Sequence, residues 1–214
     1  AGRISTWSVF SENLENVLAA QAVNGGANIR ILTQTITSPT LGSQIRKFSG
    51  KYPNSKWHQY EPVNRDNVRA GALSAFGEPV NTHLDLSQAK VILSLDADFT
   101  NSGPGSLRYA RDFATGRRVR DGVHSMNRLY IVESTPSPTG SIADHRLAMG
   151  TKQIESLAMK IAAGIGIDWD GPAPPSDFNA HDKWIQAVVK DLKANQGSSV
   201  VVVGDQQAPE IHAL

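Results

Sequence analysis

No cysteine occurs in the 214 residues. The chain therefore holds no iron–sulfur cluster through thiolates and offers no disulfide as a clue to its compartment. Apolar runs are short, as in the four valines at 200–203, far below the roughly 20 residues that span a bilayer. No charged-then-apolar signal opens the chain, and a soluble segment is expected. Excess charge is missing too: 21 Lys and Arg against 20 Asp and Glu leave a net charge of +1, which gives no field to draw in nucleic acid or an acidic membrane. The six histidines, His58, His83, His124, His145, His181 and His212, show no metal-ligand spacing and read as surface or hydrogen-bonded groups. What is present is globular, 40% hydrophobic and 19% charged, and long enough to bury a sizeable core in one α/β domain. The closing "APEIHAL" begins a helix at Pro209 and Glu210 that receives no second turn, so the chain reads as a piece excised from a longer protein.

Hydrophobic spacing orders the elements. Leu14, Val17, Leu18, Gln21 and Ala22 recur at helical intervals over 11–23, with Ser11 as N-cap, Glu12 and Glu15 near the positive end and Gly25-Gly26 as the stop. "IRILT" at 29–33 predicts a strand, 37–52 a helix entered through Pro39, and "KWHQYE" at 56–61 a second strand. Val68, Ala72, Ala75 and Phe76 share a helical face, with Asn64 as cap and Gly77 and Pro79 as terminators. "KVILSL" at 90–95 and "RLYIVE" at 128–133 predict the third and fourth strands, with a helix through Leu107, Ala110, Phe113 and Ala114 between them. Thr151 caps a helix carrying Ile154, Leu157, Ala158, Ile161 and Ala162, which ends at 164–166. "DWDGPAPPSD" at 168–177 is a proline-rich surface connection. Trp184, Ile185, Val188, Val189 and Leu192 then mark a helix, and "SSVVVVG" a fifth strand. Strands alternating with helices predict parallel βαβ units with right-handed crossovers. The expectation is a single α/β domain over 1–214, Rossmann-like in three layers. Its doubly wound, mostly parallel sheet of about five strands carries helices on both faces.

In such a sheet ligands bind at the carboxyl ends of the strands, where strand order reverses. Those ends carry Thr33 to Thr35, Glu61, Asp96 to Asp98, Glu133 and Ser134, and Gly204 and Asp205, an acidic rim. Acids that merely cap the following helices account for part of it. "LDADFT" places Asp-x-Asp-x-Thr on the end of an apolar strand and resembles the first motif of haloacid-dehalogenase-type phosphatases. That resemblance implies Asp96 as nucleophile toward phosphorus, Asp98 as general acid/base and a screening Mg²⁺. Ser134 or Thr135 would then serve as the phosphate-binding hydroxyl, and Asp205 and Glu210 as metal ligands. Two βα units precede the motif here, whereas that family puts its nucleophile strand near the start of the catalytic domain. Gly103 and Gly105 of "NSGPGS" stand where backbone N–H groups cradle a phosphate, although the segment lacks both Gly-x-Gly-x-x-Gly and a P-loop Lys-Ser/Thr. "ADHRL" at 143–147 sets Asp, His and Arg side by side, but a triad is assembled in space, not along the chain. "GRRVRD" at 116–121 is a basic cluster that complements a helix end.

Longer blocks point elsewhere. "KWHQYEPVNRDNVRAGALSAFGEPVNTHLDLSQAKVILSLDADF", "GPGSLRYARDF", "MNRLYIVESTPSPTGSIADHRL" and "VVVVGDQQAPEIHAL" together resemble the molybdopterin-oxidoreductase-like region of the iron–sulfur subunit of bacterial alternative complex III, a quinol-oxidising respiratory complex. The similarity runs from "TQTITSPTLGSQI" to the last residue. It implies an electron-transfer subunit whose iron–sulfur clusters lie in a part of the parent absent from this chain. It further implies other subunits of a membrane-bound complex as partners, the periplasmic face of the inner membrane as location, no nucleic acid, and no membrane span within this piece. Relatives that bind molybdopterin guanine dinucleotide tend to carry Gly-x-Asn-Pro after the strand matching 91–95 and Asp-Pro-Arg after the strand matching 128–132. Here Asp96, Ala97, Asp98 and Phe99 stand in the first place and Glu133, Ser134 and Thr135 in the second. A carboxylate within about 4 Å of a pyrophosphate oxygen costs about 4 kcal/mol at an effective dielectric near 20, or about three decades of affinity. The expectation is a scaffold that keeps the outline of a cofactor site, with no catalytic residue. A Mg²⁺-dependent phosphatase and a half-site for the pterin dinucleotide are the alternatives.

Overall fold

The computed structural model describes residues 2, 4–119, 122, 125–167 and 179–214. The proline-rich connection at 168–177, His124, and Arg120 and Asp121 of the basic cluster lie outside the described residues. Contacts divide the chain into two compact units, Ala1–Asn64 and Arg65–Leu214, where the sequence reading draws one domain.

The first unit runs α1 (Trp7–Ala22), β1 (Arg30–Thr33), α2 (Pro39–Lys51) and β2 (Lys56–Gln59). α1 starts four residues before the expected Ser11. The Thr6 hydroxyl accepts the Val9 N–H at 3.4 Å and so supplies the N-cap one turn earlier. α2 enters through Pro39 as expected, capped by Ser38, which accepts the Leu41 N–H. β1 and β2 pair in parallel, Arg30 opposite Lys56 and Thr33 opposite Gln59. Ile45 and Tyr52 are buried, and Gly26, at φ +79°, lies so close to Tyr52 that an added Cβ would come within 2.6 Å of the tyrosine Cβ.

The second unit contains α3 (Asp66–Phe76), β3 (Val91–Leu95), α4 (Ser106–Thr115), β4 (Arg128–Glu133), α5 (Pro138–Ser141), β5 (His145–Ala148), α6 (Thr151–Ile165), α7 (Asp182–Ala194), β6 (Ser199–Val203) and α8 (Pro209–Ala213). Its four strands lie in the order β5-β4-β3-β6, all parallel. This is a Rossmann-like, doubly wound α/β architecture. Side-chain alternation gives the sheet its two faces. Val91, Leu93 and Leu95 with Tyr130 and Val132 meet Ile154, Leu157 and Ile161 of α6 and Ile185, Val188 and Leu192 of α7. Ile92, Leu129 and Val202 meet Phe113 of α4 with Leu86 and Phe99 on the other face. β3 is buried along its whole length, as expected for a central parallel strand, and each such Leu or Ile contributes about 1.5–3 kcal/mol relative to exposure.

Several expectations change. The strands form two sheets instead of one of about five. Arg30-Ile-Leu-Thr holds only two consecutive apolar residues and Lys-Trp-His-Gln only one, so both lack the continuous apolar run of a strand buried on both faces. A further strand, β5, comes from the "ADHRL" segment, too short and polar to read as one, and it occupies the sheet edge beside β4. Leu107 points to solvent, 89% exposed, although it was expected on the buried face of α4. That face is carried by Phe113, whose ring meets Phe99 edge-on at 6.2 Å and is covered by the Arg117 guanidinium at 5.0 Å. Arg65, not Asn64, occupies the N-cap position of α3, and Gly150 precedes Thr151 at the start of α6. Among the described residues no helix is long and apolar enough to cross a membrane.

Candidate functional site

The chain leaves β3 through α4 toward β4 and β5, then returns to add β6 on the other side of β3. Strand order thus reverses at β3, and the crevice beyond the carboxyl ends of β3 and β6 is where a ligand would be held in this class of sheet. The residue after β3 is Asp96. Its φ of +57° makes it the only non-glycine residue in the left-handed region among those described, a conformation that Asp tolerates better than most residues.

The conformation turns Asp96 into a three-way tie. Its N–H donates to the Val132 carbonyl at 2.7 Å, and its own carbonyl accepts from the Gln206 side-chain amide at 2.8 Å. Its carboxylate accepts the Ser134 N–H at 3.0 Å, the Ser134 hydroxyl, and the Gln207 amide at 3.2 Å. Gln207 is 2% exposed, so this amide is a buried donor that the carboxylate satisfies. Gly204, which ends β6, sits so close that a Cβ would lie 2.3 Å from the Asp96 carbonyl oxygen. Groups that follow β3 and β6 therefore tie the two strand ends together at the reversal.

Asp98 and Glu133 are committed in the same way. Asp98 accepts from the Thr139 hydroxyl at 2.6 Å, the Thr139 N–H at 3.0 Å and the Asn101 amide at 3.0 Å. It ties off the first turn of α5, not the helix α4 that follows it in sequence. Glu133, 2% exposed, accepts from the Arg146 guanidinium and from the Ser137 hydroxyl and N–H. The Ser137 hydroxyl in turn accepts the Gly140 N–H, and a Cβ at Gly140 would come within 2.0 Å of the Glu133 carboxylate. All six oxygens of the three acids thus already accept hydrogen bonds.

A cleft of about 300 Å³ opens beside them, lined by Asp96, Asp98, Glu133, Gln206 and residues 134–138. It brings together Ser134 and Thr135 with the three acids, as the sequence predicts. Gly103, Gly105 and Asp205 do not line it. Gly103 supplies a turn at φ +87° with nothing near it, and Gly105 lies against the Tyr109 ring, where a Cβ would come within 2.4 Å. Asp205 faces Arg65 at 3.3 Å, and Glu210 lies in the first turn of α8. The three neighbours of "ADHRL" diverge. Asp144 takes Arg117 of the basic cluster and the Leu129 N–H, His145 stacks on Tyr130 at 4.7 Å, and Arg146 reaches Glu133. Burial opposes ionisation of Asp144, but the bonds from Arg117 and Leu129 and the Arg117 charge outweigh it and hold this carboxyl below its usual range.

These residues do not fit a pyrophosphate: the cleft lining contains three carboxylates and no Lys or Arg. Nor do they fit a divalent cation, because every carboxylate oxygen is already engaged by a protein donor, and among the described residues no group of three His, Asp or Glu is arranged to hold a metal. Gln206, Gln207, Thr139 and Arg146 are the residues that sequence reasoning did not bring to this place. The only signal was "GDQQAPE" after an apolar strand, and it does not reveal which acid two glutamines will meet.

Fold and site together define an α/β domain of the doubly wound class whose strand-end acids are engaged by its own side chains. A scan against models of known protein families finds no match to the chain, and no curated protein matches it.

Proposed function

We propose that the chain is a cofactor-less structural domain of an electron-transfer assembly. It would be the molybdopterin-oxidoreductase-like part of an iron–sulfur subunit, held among other subunits of a membrane-bound respiratory complex of bacteria. The observation that carries this reading is that the strand-end acids are already engaged by the chain's own donors. Asp96, Gln206 and Gln207 hold β3 and β6 together at the point where a relative with a working site would admit a nucleotide. A domain kept for its shape gains from such ties, whereas a binding domain needs the same groups free. With no cysteine in the chain, the iron–sulfur clusters of the assembly fall to other parts of the parent subunit, and the periplasmic location follows from the resemblance alone.

Metal and pterin analysis of the complete subunit tests the reading: iron without molybdenum or pterin is expected. In parallel, equilibrium dialysis of the chain against guanosine diphosphate with Mg²⁺, and hydrolysis of p-nitrophenyl phosphate with Mg²⁺, are expected to show neither retention nor turnover. Saturable hydrolysis abolished by Asp96→Asn would replace the scaffold with a phosphatase. Retained guanine nucleotide would restore a cofactor half-site.

A further inference from the structure

α1 buries none of its 16 residues in its own unit, although an isolated helix of this length is marginal in water. Its last turn is anchored: Leu18 and Gln21 are half-buried, and the Gly26 N–H donates to the Gln21 carbonyl at 2.8 Å. The stripe that meets the unit at Gln21 continues toward the N-terminus through Val17, Leu14, Phe10 and Trp7, all of them exposed, Trp7 by 82% and Phe10 by 54%. Trp7, Phe10, Leu14 and Val17 follow the 3-4-3 spacing of a two-helix seam, and the rings of Trp7 and Phe10 already meet edge-on at 5.7 Å.

We infer that this stripe pairs with α1 of a second copy of the chain, antiparallel, in a two-fold dimer. The inference goes beyond the scaffold reading and does not depend on it. Three observations select a second copy. First, the seam is self-complementary: an antiparallel pair sets Trp7 against Val17 and Phe10 against Leu14, large against small at every layer. Second, it carries no charge, because at 100° per residue Glu12 and Glu15 fall on the outer faces, so two copies meet without like-charge repulsion. Third, α1 has no acid in its first turn and no base in its last. Its macrodipole is therefore uncompensated at both ends, and an antiparallel neighbour sets each end beside its opposite. Aromatic side chains bury roughly 150–250 Å² each, so four apolar residues from each copy cover on the order of 1,000 Å² in total, the size at which specific interfaces begin.

Sedimentation equilibrium of the 214-residue chain tests the pairing. A monomer–dimer equilibrium is expected below about 100 µM, in the range of a small specific interface. The double variant Trp7→Ser, Phe10→Ser is expected to weaken it at least tenfold with an unchanged far-ultraviolet circular dichroism spectrum. Because the chain has no cysteine, single introduced thiols report the geometry: an equimolar mixture of Phe10→Cys and Leu14→Cys chains should cross-link on oxidation in preference to either chain alone. A chain that stays monomeric, an association untouched by the double substitution, or equal cross-linking of each cysteine variant with itself would overturn the antiparallel dimer.

Discussion

Asp96 combines a left-handed backbone with a carboxylate that three donor groups around it depend on. Replacing it separates these roles. Asp96→Asn keeps the tolerance for positive φ and an acceptor oxygen, and is expected to cost less than about 1 kcal/mol. Asp96→Ala adds about 1 kcal/mol of backbone strain to the loss of partners for the Ser134 N–H and the buried Gln207 amide, for about 2–4 kcal/mol in all. Urea denaturation of the two variants reads the difference, and equal penalties would show that the carboxylate, not the backbone, carries the cost. The Glu133–Arg146 pair is asymmetric in the same measurable way. Arg146, 35% exposed, reaches water when Glu133→Gln removes its partner's charge, whereas Arg146→Ala strands a carboxylate that is 2% exposed. Arg146→Ala is therefore expected to cost about 3–5 kcal/mol and Glu133→Gln clearly less.

At the scale of elements, α8 is only five residues long and depends on α3 for its place. Gly71 makes the contact: an added Cβ would lie 2.5 Å from the His212 Cβ and 2.6 Å from the Pro209 carbonyl oxygen. Neither neighbour is the end of a flexible chain, so Gly71→Ala should destabilise the second unit by about 1–3 kcal/mol through overpacking, where an exposed helical glycine would gain stability from alanine. Thermal unfolding of the variant decides between the two signs. β3, β4, α6 and α7 were legible from their residues because their apolar periodicity is unbroken. Leu107 and β5 were not: an amphipathic face has edges that only the packed neighbour defines, and a four-residue edge strand such as His145–Ala148 gains its pairing from β4, not from its own composition.

For the whole molecule, both hydrophobic clusters lie in the second unit, while the first buries Ile45 and Tyr52 beneath a two-stranded sheet. Hydrogen exchange should therefore release the β1 and β2 amides well before those of β3 and β4; equal protection would contradict this distribution of the core. Acid sensitivity has two sources of defined sign. Burial holds the His212 imidazole below the ordinary histidine range, against the opposing pull of Asp205 and of backbone hydrogen bonds at Gly204 and Asp205. The unfolded state then takes up a proton near pH 6.5 before the native state does, so stability falls as pH drops below about 6.5. His212→Gln should flatten the stability curve between about pH 7 and 5. Asp191 acts lower: burial opposes its ionisation, but hydrogen bonds from Tyr130 and Arg128 outweigh that and hold its carboxyl below the usual range. Its contribution is present above about pH 4 and lost as pH falls through the native value, a limb that Asp191→Asn should remove in acid titrations followed by circular dichroism.

The sequence by itself determined the parallel βαβ plan, the central strands and the acid-lined strand ends, because apolar periodicity and glycine stops are local properties that survive whatever lies beside them. It also placed Asp96, Asp98 and Glu133 at the carboxyl ends of the central strands. Only the tertiary structure decided what those acids do. Ser134 reaches Asp96 across 38 positions, Thr139 reaches Asp98 across 41, and Gln207 reaches Asp96 across 111. Hydrogen bonds between residues so far apart in the chain depend on where the strands lie in the sheet, and strand order is set by the packing of the whole second unit, not by any segment within it.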